Sequence, residues 1–231
     1  MKQYSPSARL SATLFALTGL LPAVAGANHE RVVPPFHTLE VSLPADVTVR
    51  QGPLQPVRID AEPAVTRALK IAVRNGVLTL AADGFRTRQP VRIGIVAPEL
   101  HKLHAGGTSS VVVEGWRAEA LTVHADGSSD VHLRQIAIGA LQSCAEDSSG
   151  IALSGQAEVW QADARGSARI EAEALQHRRT QLYASNAASI AASAGIDLRA
   201  RVRNGADITV AGQFVPSTGD ADGGAAGAPC R

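Results

Sequence analysis

Four residues of metal-ligand type recur at one position of a repeating sequence. His104, His124, Cys144 and Asp163 each lie seven residues before an apolar position of the repeat. If the repeats stack as β-strands, neighbouring members of this column lie about 4.8 Å apart, so two or three side chains could share one ion. Imidazole, thiolate and carboxylate are ligands of zinc and copper. The column therefore predicts a candidate zinc or copper site, and the alternative is a solvent-facing row in which any polar residue is accepted.

Cys144 has a second possible role, because the chain contains one other cysteine, Cys230. An oxidising compartment permits a disulfide between the two, and two free thiols are the alternative. A disulfide-bonded Cys144 cannot also bind a metal ion as a thiolate. The two predictions for this residue therefore exclude each other in any one molecule.

The polar turns hold residues from which a catalytic site can be composed on paper. Ser128, His124 and Asp126 supply a serine, a histidine and an acid, but the turns are too short to build a pocket and no nucleophile elbow is present. Turn serines ordinarily satisfy backbone groups instead. The acidic turn residues offer oxygen ligands for calcium, with ordinary turn chemistry as the alternative, and they are Asp126, Asp130, Glu146 and Asp147. The sequence thus predicts no catalytic residues.

The elements that position these side chains follow from a repeat of 18–20 residues. Its apolar anchor positions are Val111, Val131, Ile151, Ile170, Ile190 and Ile208. Positions two residues away on either side are apolar or small, which is typical of the inward side of a strand. Four residues before each anchor come Gly107, Gly127, Asp147, Gly166, Asn186 and Asn204, residue types that tolerate a positive φ at a corner. One unit cannot bury its apolar side alone, so the repeat predicts a parallel β-solenoid.

Residues 36–100 differ from the regular array. Leu39, Val41, Val47 and Val49 match the columns of the repeat, but the following LKIAVRNGVLTL segment, residues 69–80, alternates around an Asn-Gly pair. That pattern is typical of a β-hairpin. We expect residues 36–100 to form a small antiparallel sheet that leads into the solenoid over residues 101–212.

The two ends of the chain read as targeting and tail segments. Residues 1–27 combine Lys2 and Arg9 with an apolar run over 10–21 and small residues at 23–27, which predicts a signal peptide. Residues 28–35 read as a linker, and the Gly/Ala-rich residues 213–231 as a disordered tail. No later segment is apolar enough for a membrane-spanning helix. We therefore expect an exported protein of the periplasm or the cell surface.

Composition limits the partners. Without residues 1–27 the chain holds 20 basic and 21 acidic residues, so net charge gives no case for nucleic-acid binding. Of the two tryptophans, Trp160 aligns with leucine positions and is expected in the core. Trp116 follows Gly115 at a corner and is a candidate exposed contact residue, with packing as the alternative.

Several ordered segments together resemble one family. These are the GSSDV-type turn repeated about every 20 residues, the opening FHTLEVSLPADVTVRQG, the hairpin of residues 69–80, and VRIGIVAPELHKLHAGGTSSV. Over residues 36–212 the chain resembles the head GIN domain family of auto-transporter adhesins. The resemblance implies a right-handed β-solenoid on an exported or surface protein, and it brings no established catalytic residues.

These observations leave three candidate functions: one preferred function and two alternatives. The first is an exported, non-enzymatic, adhesin-like protein that binds an unknown protein or glycan of the cell envelope. The alternative is a periplasmic metal- or small-ligand-binding protein that uses the column of His104, His124 and Cys144. The third, an enzyme acting on polysaccharide, requires a cleft built from long insertions, and the intervals of 18–20 residues leave no room for them.

Overall fold

The computed structural model describes residues 28–84, 87, 89–211 and 213–214. The predicted signal peptide and residues 215–231 of the predicted tail lie outside this range. In the described part, no helix is long and apolar enough to span a membrane. The elements in chain order are β1 (Asn28–Arg31), β2 (Thr38–Ser42), β3 (Asp46–Gln51), β4 (Val57–Asp60), α1 (Pro63–Ala68), β5 (Leu69–Arg74), β6 (Val77–Ala82), β7 (Arg92–Ala97), β8 (Lys102–Ala105), β9 (Ser110–Glu114), β10 (Arg117–Ala125), β11 (Asp130–Ala145), β12 (Gly150–Gly166), β13 (Arg169–Asn186), β14 (Ser189–Ala192), β15 (Asp197–Arg203), β16 (Asp207–Val210) and β17 (Gln213–Phe214).

Successive windings of the chain pair in parallel and in register, which confirms the β-solenoid. All six predicted anchor positions lie opposite one another, from Val111 through Val131 and Ile151 to Ile208. Each full winding has three faces. We call face 1 the sheet containing residues 121–125 and 141–145, face 2 the sheet containing 130–133 and 150–153, and face 3 the sheet containing 136–140 and 155–159.

The corners between faces 1 and 2 explain two columns of the sequence. The residues predicted to have a positive φ do so, with values between 53° at Asn204 and 76° at Gly166. The serines two residues before the anchors are buried, and two of their hydroxyls donate to the last carbonyl of a face-1 strand on the preceding winding, from Ser129 to Ala105 at 2.8 Å and from Ser149 to Ala125 at 2.9 Å. Both carbonyl oxygens also accept a main-chain N–H, from Asp126 and Glu146 respectively, so each serine adds a second hydrogen bond that ties its corner to the preceding winding.

The N-terminal region is partly antiparallel, over a smaller range than the predicted residues 36–100. The β5–β6 hairpin is antiparallel, and so are the pairs β4–β7 and β1–β4. However, β2 and β3 pair in parallel with β8 and β9 on one side and with β6 and β7 on the other. Alternating apolar residues suit both kinds of pairing, and the Asn-Gly turn fixes only its own hairpin. The predicted linker over 28–35 also contains a strand, β1.

Candidate functional site

The structure brings the predicted column together on the outer side of face 1. His124 lies opposite His104 and Cys144 on the neighbouring windings, and Cys144 lies opposite Asp163. The rings of His104 and His124 stack with their centroids 4.8 Å apart. The sequence therefore predicted correctly that the four residues of the column lie opposite one another.

Charged side chains next to the column bind its members. Asp126 Oδ2 lies 2.6 Å from His104 Nε2, and Arg165 donates to both carboxylate oxygens of Asp163, at 3.0 and 2.6 Å. A guanidinium that is bound to both oxygens of a carboxylate repels a divalent cation and occupies the oxygens that the cation would bind. In the described ranges no group of three or more His, Cys, Asp or Glu side chains is placed to hold a metal ion. The zinc or copper site stays a prediction.

Cys144 is only 2 % exposed, although it points away from the solenoid core. It is not a free thiol. Cys230 lies outside the described residues, so the pairing of Cys144 with Cys230 stays a prediction. A disulfide at Cys144 would take the thiolate out of the predicted metal column.

Burial sets the protonation of two histidines. Burial lowers the pKa of His124 below its ordinary value, the nearby His104 lowers it further, and Glu146, with Oε2 3.7 Å from His124 Nε2, partly opposes this together with Asp126. Burial also lowers the pKa of His177, with a hydrogen bond involving Ser193 acting in the other direction. Both side chains therefore favour the neutral imidazole in the folded protein.

We expect the free energy of unfolding to decrease as the pH falls below about 6.5, the ordinary histidine value. In that range the unfolded chain binds protons that His124 and His177 resist binding when folded, so acid favours unfolding. The loss ends once the pH is below the lowered pKa values. Urea unfolding midpoints at pH 8, 7, 6 and 5 measure the effect. A double variant, His124→Gln with His177→Gln, should show a shallower decline over the same range, and an unchanged slope would contradict this assignment.

Of the two roles expected for Trp116, the structure shows packing and not an exposed contact. It is 0 % exposed, because the corner after Gly115 (φ 64°) directs the indole into the core. Its Nε1 has no hydrogen-bond partner in the described part of the chain. Trp160 is 0 % exposed as expected, and its Nε1 donates to Ser143 Oγ at 2.9 Å.

A shallow depression lies on face 3, and the sequence did not predict it. It has a volume of about 490 Å³ and crosses three windings. Gln156 and Gln176 lie opposite each other within it, and Glu158 accepts a 3.2 Å hydrogen bond from Arg178 beside them. We call these residues, with Ala137 and Ala157, the face-3 groove. In the sequence, the groove is marked only by two glutamines 20 positions apart with alanines near them. No known motif separates such a pattern from an ordinary solvent-exposed surface.

His177 lines this groove but is held as a structural residue. The Ser193 hydroxyl donates to the Leu175 carbonyl, so the 3.2 Å contact between Ser193 and His177 Nε2 requires the imidazole to donate. Nδ1 then accepts from the Thr180 hydroxyl. In this tautomer the imidazole is not placed to take a proton from Ser193, so the pair is not a catalytic dyad.

Solved structures share the fold at low sequence identity. A "putative adhesin" from Bacteroides fragilis aligns with a TM-score of 0.75 and 18 % identity, over 83 % of this chain and 91 % of that one. From Parabacteroides distasonis, a "putative lipid binding protein" gives a TM-score of 0.58 at 17 % identity, over 80 % and 94 %, and a second "putative adhesin" gives 0.55 at 16 %, also over 80 % and 94 %. At these identities the likeness shows the fold alone.

No curated protein matches the chain significantly. A family model does match, over residues 35–213, which is most of the chain and agrees with the range expected from the sequence. The chain belongs to the family described as "Putative auto-transporter adhesin, head GIN domain".

Proposed function

We propose that the chain is an exported, non-enzymatic binding protein of the cell envelope or surface, whose partner is an extended protein or glycan. Membership of an adhesin-like family supports a cell-surface role. The observation that carries the proposal further is the face-3 groove, which is open at the surface and crosses three windings. An extended polymer fits such a surface better than a small molecule does, since small-molecule sites are usually enclosed and apolar.

The polar groups of the groove favour binding over catalysis. Gln156 and Gln176 each offer a donor and an acceptor, which suits hydroxyls or peptide groups. The titratable residues beside them are already engaged, since Glu158 pairs with Arg178 and His177 is hydrogen-bonded on both ring nitrogens. The groove therefore has groups for recognition, and its candidate acid and base are occupied.

Two measurements test this function. In the first, intact cells are treated with protease and then fractionated, and the protein is detected by antibody. External protease should remove it if it acts at the surface. Full protection together with a periplasmic location would contradict a direct surface role.

The second measurement is retention of the purified chain on isolated cell envelopes. The double variant Gln156→Ala with Gln176→Ala should bind about 30-fold more weakly, because two pairs of hydrogen-bonding groups are lost at about 1 kcal/mol each. Gln142→Ala with Gln161→Ala is the matched control, since these glutamines lie opposite each other on face 1. Equal retention of both double variants would exclude the groove as the contact surface.

A further inference from the structure

The last strand of face 1 in the described chain carries three arginines on its outer side. Arg199, Arg201 and Arg203 alternate along β15 and are all exposed, while Leu198, Ala200 and Val202 between them face inward. We call the three the arginine row. Alternate residues of a strand are about 6.7 Å apart, so the row presents three guanidinium groups in a line about 13 Å long.

Among the described residues, no acidic side chain lies opposite this row. The positions opposite it on the preceding winding are Gln181, Tyr183 and Ser185, all neutral. In the described part of the chain, no ion pair links the row to a carboxylate, whereas Arg50 and Arg178 are each paired with a glutamate. Asp197, the acid at the start of β15, lies opposite Arg179 on the preceding winding, so its negative charge is offset by Arg179 and not by the row. Within the described part of the chain, the row is therefore a line of positive charge without an acidic partner.

Charge is also unevenly distributed along the solenoid. Residues 165–214 hold seven arginines and four acids, while residues 101–164 hold three basic and eight acidic residues. A long polyanion is therefore repelled by the middle windings, and it gains most by lying along β15 rather than along the solenoid axis.

We propose that the arginine row binds an acidic polysaccharide, a chain with a carboxylate or sulfate on successive sugars. The inference rests on the proposed role as an envelope or surface binding protein, and it assigns a contact surface on face 1 that is separate from the face-3 groove. Guanidinium groups bind both anions in a bidentate manner. Tyr183, partly exposed and opposite Arg201, adds an aromatic ring against which a sugar can pack. Duplex nucleic acid has a phosphate charge about every 1.7 Å of its axis and suits a wider basic surface than one strand offers.

The test uses the chain without residues 1–27 and four probes: polygalacturonate, dextran sulfate, uncharged dextran and single-stranded DNA. The triple variant R199Q/R201Q/R203Q is compared with the control R67Q/R74Q/R134Q, which removes the same charge from exposed, scattered arginines. We expect the native chain to bind one or both acidic polysaccharides and neither dextran nor DNA with similar affinity. The row variant should bind about tenfold more weakly, and the control should stay within about twofold.

Any one of four results would overturn the inference. One is an equal loss in both triple variants, which would mean that net charge alone matters. Another is DNA binding as tight as polysaccharide binding. The third is self-association of the row variant with unchanged polysaccharide affinity, which would make the row a guard against edge-to-edge strand pairing. If the native chain is retained on whole envelopes but binds neither acidic polysaccharide, the inference fails while the proposed function stands. Gel filtration and circular dichroism confirm that each variant is folded.

Discussion

Replacing Trp160 with alanine is expected to lower the free energy of unfolding by about 3–5 kcal/mol. Trp160 is fully buried, and it lies opposite Leu141 on one winding and Thr180 on the next. The core around it is built largely from alanine, valine, leucine and isoleucine. Its windings are held at fixed spacing by main-chain hydrogen bonds, so they cannot close over the cavity that the indole leaves. Chemical unfolding followed by circular dichroism measures the loss.

A control separates lost packing from the lost hydrogen bond. Ser143 accepts the bond from Trp160 Nε1, so Ser143→Ala leaves that donor without its partner while the indole stays in place. This variant should cost about 1–3 kcal/mol. If Trp160→Ala costs no more than Ser143→Ala, packing of the indole is not what stabilises these windings.

Substitution of Gly155 by valine is expected to prevent folding. Gly155 has a φ of 128° at the corner between faces 2 and 3, where the register of β11 and β12 shifts. A Cβ at this position would lie 2.2 Å from the backbone oxygen of Ile136 and 2.5 Å from its nitrogen. Backbone atoms of a paired strand cannot move aside without breaking the ladder, so we expect a cost of at least about 4 kcal/mol.

The measurement is the yield of soluble protein and its thermal unfolding midpoint. Gly94→Ala is the matched control, because an added Cβ there meets only Arg58 Cβ at 3.7 Å, an ordinary contact. The control should change stability by about 1 kcal/mol or less. A folded Gly155→Val protein with the midpoint of the control would contradict the geometric argument.

The regular windings could be predicted from the sequence because their constraints are local. An anchor must be apolar, a corner with positive φ must be Gly, Asn or Asp, and both recur with the period of the winding. The column that begins with His104 and His124 followed from the same register. Its ion-pair partners were missed, although Asp126 and Glu146 follow the column positions His124 and Cys144 by two residues and could have been recognised as facing the preceding winding.

The remaining features depend on packing that a linear pattern does not record. Trp116 sits beside a corner, and whether an indole there turns inward depends on the space left by other windings. The face-3 groove arises from alanines stacked beside glutamines, and neither residue type signals a site by itself. The antiparallel prediction for residues 36–100 holds only in part for a related reason, since the alternation of a strand does not reveal which neighbour it will pair with.

The winding formed by β2 and β3 is early in the chain but interior in the stack. It lies between β6–β7, which follow it in sequence, and β8–β9, which come later still. During synthesis, more than 60 residues after Gln51, up to Glu114, must therefore be made before both edges of the β2–β3 winding can pair with neighbouring strands. A fragment lacking residues 28–51 would lose this interior layer. Strands β6 and β7 would then have no neighbour that joins them to β8, β9 and the later windings. A fragment shortened from β17 backwards would lose only outer layers, so the protein should tolerate shortening from its C-terminal side far better.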